Sequence, residues 1–317
     1  MLTAMSARLQ RNLARISQLF TIILAAISLF ISLMAYGADE IRIEDARGKV
    51  IVLNQPATRI ISLAPHIVEN LFAIGADSTI VGVTAYSDYP AAANNIEVIG
   101  TYKQFDIERI LELQPDIIVG WLSGNPGDAI ESLERLGLPV FLSEPRTIED
   151  VARELRNLGR LTGRDSMAQE VASRFTEQMK QITDRYSART SVKVFYQVWN
   201  DPLITLNGDH LISKLIEGCG AVNIFADLDQ LAPRIGIEAV LDRNPDVILA
   251  GSKDSESSAS VPASLKAWSR YPFLSATAHN NLFQLNPDLL QRHTTRLVDG
   301  MDDLCKHIDT ARQRLTR

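Results

Sequence analysis

Cysteine is nearly absent: Cys219 and Cys305 are the only two in 317 residues. That is too few for a disulfide scaffold, and the spacing is too wide for a zinc knuckle. An excess of positive charge is also missing. The chain carries 32 Lys and Arg against 38 Asp and Glu, a net −6, so no basic footprint for nucleic acid exists. Catalytic signatures are lacking as well. There is no G-x-S-x-G elbow, no phosphate-cradling G-x-x-x-x-G-K, no H-E-x-x-H and no G-x-G-x-x-G after a strand. The five histidines, His66, His210, His279, His293 and His307, are scattered along the chain without metal-ligand spacing. An enzyme is therefore the weaker class. Apolar residues at 46% and charged residues at 22% exclude a disordered or polytopic membrane chain, and the length favours two lobes.

The first 37 residues are unlike the rest. Arg8, Arg11 and Arg15 stand without any acidic residue, an apolar run extends from Leu19 to Ala35, and Ala35-Tyr36-Gly37 supplies small residues before the polar Asp39-Glu40. That order reads as a secretory signal peptide over 1–37, cut after Gly37, so the folded part is exported. The alternative is an uncleaved anchor, because the apolar run approaches a spanning length. In an exported, oxidising setting the two cysteines can pair.

One pattern occurs twice. Asp106-Ile-Glu-Arg-Ile-Leu-Glu-Leu-Gln-Pro-Asp-Ile-Ile-Val-Gly120 is answered by Gly236-Ile-Glu-Ala-Val-Leu-Asp-Arg-Asn-Pro-Asp-Val-Ile-Leu-Ala250. Each begins as a short helix, breaks at a proline and continues as an apolar run of the kind buried on both faces of a parallel sheet. Lead-in strands correspond as well, Arg59–Leu63 with Lys193–Gln197. The first is followed by Ala64-Pro65-His66 and a helical pattern ending at Gly75, then by a strand over Ile80–Val83. Strand–helix–strand alternation predicts an α/β fold of two Rossmann-like lobes, each around a parallel sheet. Residues 164–189 hold no glycine or proline and repeat Val171, Phe175, Met179 and Ile182 at helical spacing, which predicts one long backbone helix joining the lobes. The expected divisions are 38–163, 164–189 and 190–317. The polar stretch 252–260 reads as a mobile surface loop.

Aromatics are scarce, 6% of the chain, yet several fall at strand ends: Tyr86, Tyr89, Tyr102, Trp121 and Trp199. Open α/β sheets bind ligands beyond the carboxyl ends of their strands, so these rings are candidates for gripping a large planar or apolar solute. His66, placed by Pro65 at a helix start, is either a ligand contact or a polar cap-region residue. Glu108 and Glu238 occupy equivalent places in the two repeats. Each either stabilises a helix start or offers an acid for docking onto a two-fold, basic partner, and the residues alone leave both readings open.

Arg59-Ile-Ile-Ser-Leu-Ala-Pro, Tyr86-Ser-Asp-Tyr-Pro, the repeated helix-Pro-Asp-strand units and Cys219-Gly-Ala-Val-Asn-Ile-Phe225 together resemble the helical-backbone (class III) substrate-binding proteins of ATP-driven importers, and within them the cobalamin branch. The resemblance covers essentially the whole chain after residue 37. It implies a monomer with no catalytic step and no cofactor. Cobalamin would be the transported ligand between the lobes, and the partner would be an inner-membrane ABC permease with its ATPase. Tyr86, Trp121 and, where the branch has a tryptophan, Tyr102 are implied as ligand contacts, with Asp288, Leu289, Leu290, Gln291 and Arg292 as a ligand loop of the second lobe. Glu108 and Glu238 match the acids that meet permease arginines. Cys219 and Cys305 match a disulfide tying an early helix of the second lobe to its last. Two departures stand out: Val198 falls on a family phenylalanine and Ala232 near a family tryptophan, with Trp199 as the ring that could compensate. A haem or ferric-siderophore receptor is the nearest alternative, and an exported metal-dependent enzyme the more distant one.

Overall fold

The computed structural model describes residues 40–251 and 263–316. The signal segment 1–37 and the polar stretch 252–260 lie outside the described residues. Two short strands, β1 (Ile41–Glu44) and β2 (Val50–Leu53), open the described chain.

The first lobe is a four-stranded, all-parallel sheet in the order β4-β3-β5-β6, formed by β3 (Ile60–Ser62), β4 (Ile80–Val83), β5 (Ile117–Trp121) and β6 (Val140–Ser143). Its crossover helices are α1 (Pro65–Ala73), α2 (Ile107–Glu112) and α3 (Gly127–Arg135). The strands are apolar on both faces because helices cover both, and Ile61, Ile110, Ile118, Leu133 and Val140 close into one dry cluster.

The second lobe repeats the plan in the order β10-β7-β11-β12, again all parallel, from β7 (Lys193–Gln197), β10 (Val222–Asn223), β11 (Val247–Gly251) and β12 (Leu282–Leu285). Two residues, Trp199–Asn200 (β8), pair antiparallel with Leu203–Ile204 (β9), so Trp199 sits on a small side ribbon and not at the end of β7. Helices α6 (Leu211–Gly218), α7 (Ile237–Arg243), α8 (Ser275–Ala278), α9 (Pro287–Leu290) and α10 (Leu297–Leu315) complete the lobe.

The repeated helix-Pro-Asp-strand unit has a local physical basis. Gln114 and Asn244 stand just past α2 and α7 in left-handed conformations, φ 45° and 43°, which ends the helix, and the following proline prevents its resumption. The aspartate then clamps the neighbouring lead-in strand. Asp116 accepts from the backbone N–H groups of Thr58 and Arg59 at 2.7 and 2.9 Å, and Asp246 accepts from that of Lys193 at 2.9 Å.

Between the sheets run α4 (Ile148–Thr162) and the 22-residue α5 (Asp165–Tyr186). At 1.5 Å per residue α5 spans about 33 Å. Its stripe Ala168, Ala172, Phe175, Met179, Ile182 and Tyr186 is buried. Gly159 lets the two helices approach closely, since a Cβ there would lie 2.3 Å from that of Ala168.

Candidate ligand site at the strand ends

The carboxyl ends of β3 and β5 and the loop carrying Tyr102 converge on one buried hub, Asn125. Its Oδ1 accepts from the backbone N–H of Trp121 at 2.6 Å, while its Nδ2 donates to the carbonyls of Leu63 at 3.1 Å and Tyr102 at 2.8 Å. One amide thus fixes the exit of β3, the exit of β5 and the loop carrying Tyr102. The Trp121 indole lies over Gly124, where an added Cβ would come within 1.9 Å of Cε3. Around it stand Tyr102 at 6.3 Å between ring centroids and His66 at 5.7 Å, the latter edge-on at 86°.

Of the buried side-chain polar atoms without a partner among the described residues, five belong to the first lobe, His66 Nε2, Asn70 Oδ1, Thr84 Oγ1, Ser87 Oγ and Trp121 Nε1, and two to the second, Tyr196 OH and Asn281 Oδ1. In the first lobe Trp121 is the last residue of β5, and the other four follow β3 or β4 along the chain. Native interiors leave few such atoms, so the five in the first lobe make the region after β3 and β4 and at the end of β5 a candidate polar site.

Tyr86 and Trp199 are different. Tyr86 is 69% exposed and held at φ 70°, a left-handed conformation that costs a non-glycine residue on the order of 1–3 kcal/mol and is found mostly where function demands it. Trp199 is 59% exposed, its indole N–H donating to the Asp201 carbonyl at 2.9 Å. Neither joins the described ring cluster. Tyr89 carries the Arg296 guanidinium 3.8 Å above its ring.

The predicted loop 288–292 divides by role. Leu290 is turned into the core, 1% exposed, so it supports the loop from behind and is not a surface for a ligand. Asp288 and Leu289 are half-buried, and Gln291 is exposed. Arg292 crosses to the first lobe. Its Nη1 donates to Glu69 at 2.8 Å and to Asp88 at 2.7 Å, and Asp288 lies 3.3 Å from its Nη2. Arg296 joins Glu69 at 3.3 Å, and Asn70 donates to the His293 carbonyl at 3.0 Å. The lobes are therefore latched directly as well as through α5.

Behind that latch sits Glu154. It accepts from Asn70 at 3.0 Å and from the Ser143 hydroxyl, and burial pushes its carboxyl up to about 7 despite both bonds. Glu154 also lines a cavity of about 570 Å3 beside β6, away from the ring cluster.

Sequence spacing gave no hint of the histidine arrangement. His66 of the first lobe stands 5.9 Å from His293 of the second, and His293 stands 6.3 Å from His210. Burial lowers His66 to about 4, with the Arg292 charge adding to it, and lowers His210 to about 4. His293 falls to about 3 through burial and its two histidine neighbours. All three are neutral at pH 7.

Residues 60–289 match the family described as periplasmic binding protein. The chain belongs to that family. Among periplasmic binding proteins it is 33% identical, over 261 residues, to the vitamin B12-binding protein of Vibrio campbellii, covering 82% of this chain and 93% of that one. The vitamin B12-binding protein of Vibrio cholerae is 34% identical over 258 residues, 81% of this chain and 91% of that one. The crystal structure of the periplasmic vitamin B12 binding protein of Vibrio cholerae superposes with a TM-score of 0.74 at 33% identity, covering 81% of this chain and 98% of that one. A periplasmic haem binding protein of the same organism shares the fold, with a TM-score of 0.69 at 18% identity, covering 79% and 98%. These relatives are binding proteins, and the fold accommodates more than one kind of cargo.

As in the expectation drawn from the sequence, Cys219 and Cys305 form a disulfide, which ties the end of α6 to α10. Glu108 and Glu238 are both exposed, each the second residue of its short helix, α2 and α7.

Proposed function

We propose that this chain captures a cobalamin between its two lobes and delivers it to the permease of an inner-membrane ABC importer, with no chemical step. The observation that carries this reading is the pair of vitamin B12-binding relatives matched over more than nine-tenths of their own length. It is supported by the buried polar atoms and rings gathered at the strand ends, a combination suited to a macrocycle with an apolar body and amide edges. Tyr86, Tyr102, Trp121 and Trp199 supply ring surface in this scheme, and Asp288, Leu289, Gln291 and Arg292 line the opposing side. Residues 1–37 export the chain, 38–163 and 190–317 form the lobes, and 164–189 joins them. Glu108 and Glu238, one exposed acid on each lobe, meet basic residues of the permease.

The latch through Glu69, Asp88, Arg292 and Arg296 adds to the stiffness of α5, so release needs the permease to compete for those contacts. Titration of the purified protein with cobalamin, haem and ferric siderophores, read by intrinsic tryptophan quenching, tests the cargo. Cobalamin is expected to quench at the lowest concentration, and preferential quenching by haem or a siderophore refutes the assignment. In the same assay Tyr86→Ala is expected to weaken cobalamin binding by about 1–3 kcal/mol, the value of burying one ring surface.

A further inference from the structure

Three imidazoles from three separate elements form a row across the lobe boundary. His66 is the second residue of α1, His293 lies in the loop between α9 and α10, and His210 caps α6. Their chemistry is not equivalent. His210 accepts the Ile212 backbone N–H at its Nδ1, at 3.1 Å, which leaves its proton on Nε2 and removes it as a metal ligand. His66 keeps Nε2 buried and unpartnered. His293, at the centre, is half-buried, and its ring makes no hydrogen bond among the described residues. Its backbone is fixed by Asn70 and by the neighbouring Arg292 latch, so the ring is held in place without being used.

A neutral imidazole with a free lone pair facing an accessible space is a transition-metal ligand in waiting. Among the described residues no group of three or more His, Cys, Asp or Glu is arranged to hold a metal ion. A bare ion therefore does not fit. A metal already held in the plane of a macrocycle needs only one further ligand, along its axis. Resting on the cobalamin reading above, we propose that His293 is an axial ligand to the cobalt of the bound cargo, and that the protein consequently favours corrinoids with an exchangeable axial position. The step is a ligand substitution: the cobalt–oxygen bond to an axial water breaks, a bond from cobalt to an imidazole nitrogen forms, and the water leaves with no change in protons or electrons.

The test uses the visible absorption of the corrin, which reports the axial ligand directly. Wild-type protein is titrated with aquocobalamin and, in parallel, with cyanocobalamin, whose axial cyanide an imidazole does not displace. The expected result is that aquocobalamin acquires the spectrum of its imidazole-ligated form on binding. In His293→Ala that shift is expected to disappear while cyanocobalamin binding is retained, which also shows that the variant is folded. Binding of aquocobalamin by the wild type with an unchanged spectrum overturns the proposal, and that arm does not depend on any variant. A shift that survives in His293→Ala and is lost in His66→Ala overturns the assignment to His293. Failure of both corrinoids to bind overturns the cargo reading itself, an outcome distinct from binding without a shift.

Discussion

Replacing Glu154 by glutamine should stabilise the protein by a margin that grows as pH rises from about 4.5 and levels off above about 7. Glu154 is enclosed between Ser143 and Asn70, and burial raises its carboxyl from 4.5 to about 7 in the folded chain. A raised carboxyl means that the folded state holds the proton more tightly than the unfolded state. The stability this lends is fully present below pH 4.5 and is lost as pH rises through about 7. At about 1.4 kcal/mol per pH unit, the loss amounts to about 3 kcal/mol above pH 7. Glutamine keeps an oxygen to accept from Asn70 and an amide to bond Ser143, but never ionises. Glu154→Gln and wild type should thus be equally stable near pH 4.5, with the variant gaining about 3 kcal/mol by pH 8. His66, His210 and His293 work in the opposite sense. Their lowered values contribute stability present above pH 6.5 and lost as pH falls toward about 4 and about 3. They act on both proteins alike and cancel in the difference. Urea denaturation at half-unit steps from pH 4.5 to 8.5 measures it. A difference that stays flat with pH would refute the claim that Glu154 is buried against its own ionisation.

Other perturbations probe the remaining parts. The double substitution Glu108→Arg with Glu238→Arg should abolish uptake of cargo into cells while leaving its dissociation constant and the urea midpoint unchanged; a matching loss of affinity would make these exposed acids structural and not part of a docking surface. Gly124→Ala should push the Trp121 indole off its backbone seat, shift its fluorescence and weaken cargo binding about tenfold, ~1.4 kcal/mol. Unchanged emission and affinity would show that the ring does not depend on that seat. Cys219→Ser with Cys305→Ser opens a loop of 86 residues' separation, which by chain entropy should cost about 4.6 kcal/mol in denaturation, and a loss below about 1 kcal/mol would show that the cross-link constrains little.

Much of the architecture was written in short stretches of chain. The paired helix-Pro-Asp-strand units announce themselves because each step is local: a helix stopped by an αL residue and a proline, an aspartate that caps a neighbouring strand, an apolar run that only a two-sided sheet can accept. The long joining helix is legible for the same reason, as its buried stripe repeats at fixed spacing. What the residues could not disclose is which of them meet across the sheets and lobes. Asn125 looks like an ordinary loop residue until its amide is seen binding two strand exits and the Tyr102 loop at once. Leu290 and Arg292 stand two apart in one candidate loop, yet one faces the core and the other the opposite lobe. His66, His210 and His293 are separated by more than eighty residues each, a distance at which spacing carries no information. His210 meets His293 through the packing of the second lobe and His66 meets His293 across the lobes, and only the tertiary structure decides both.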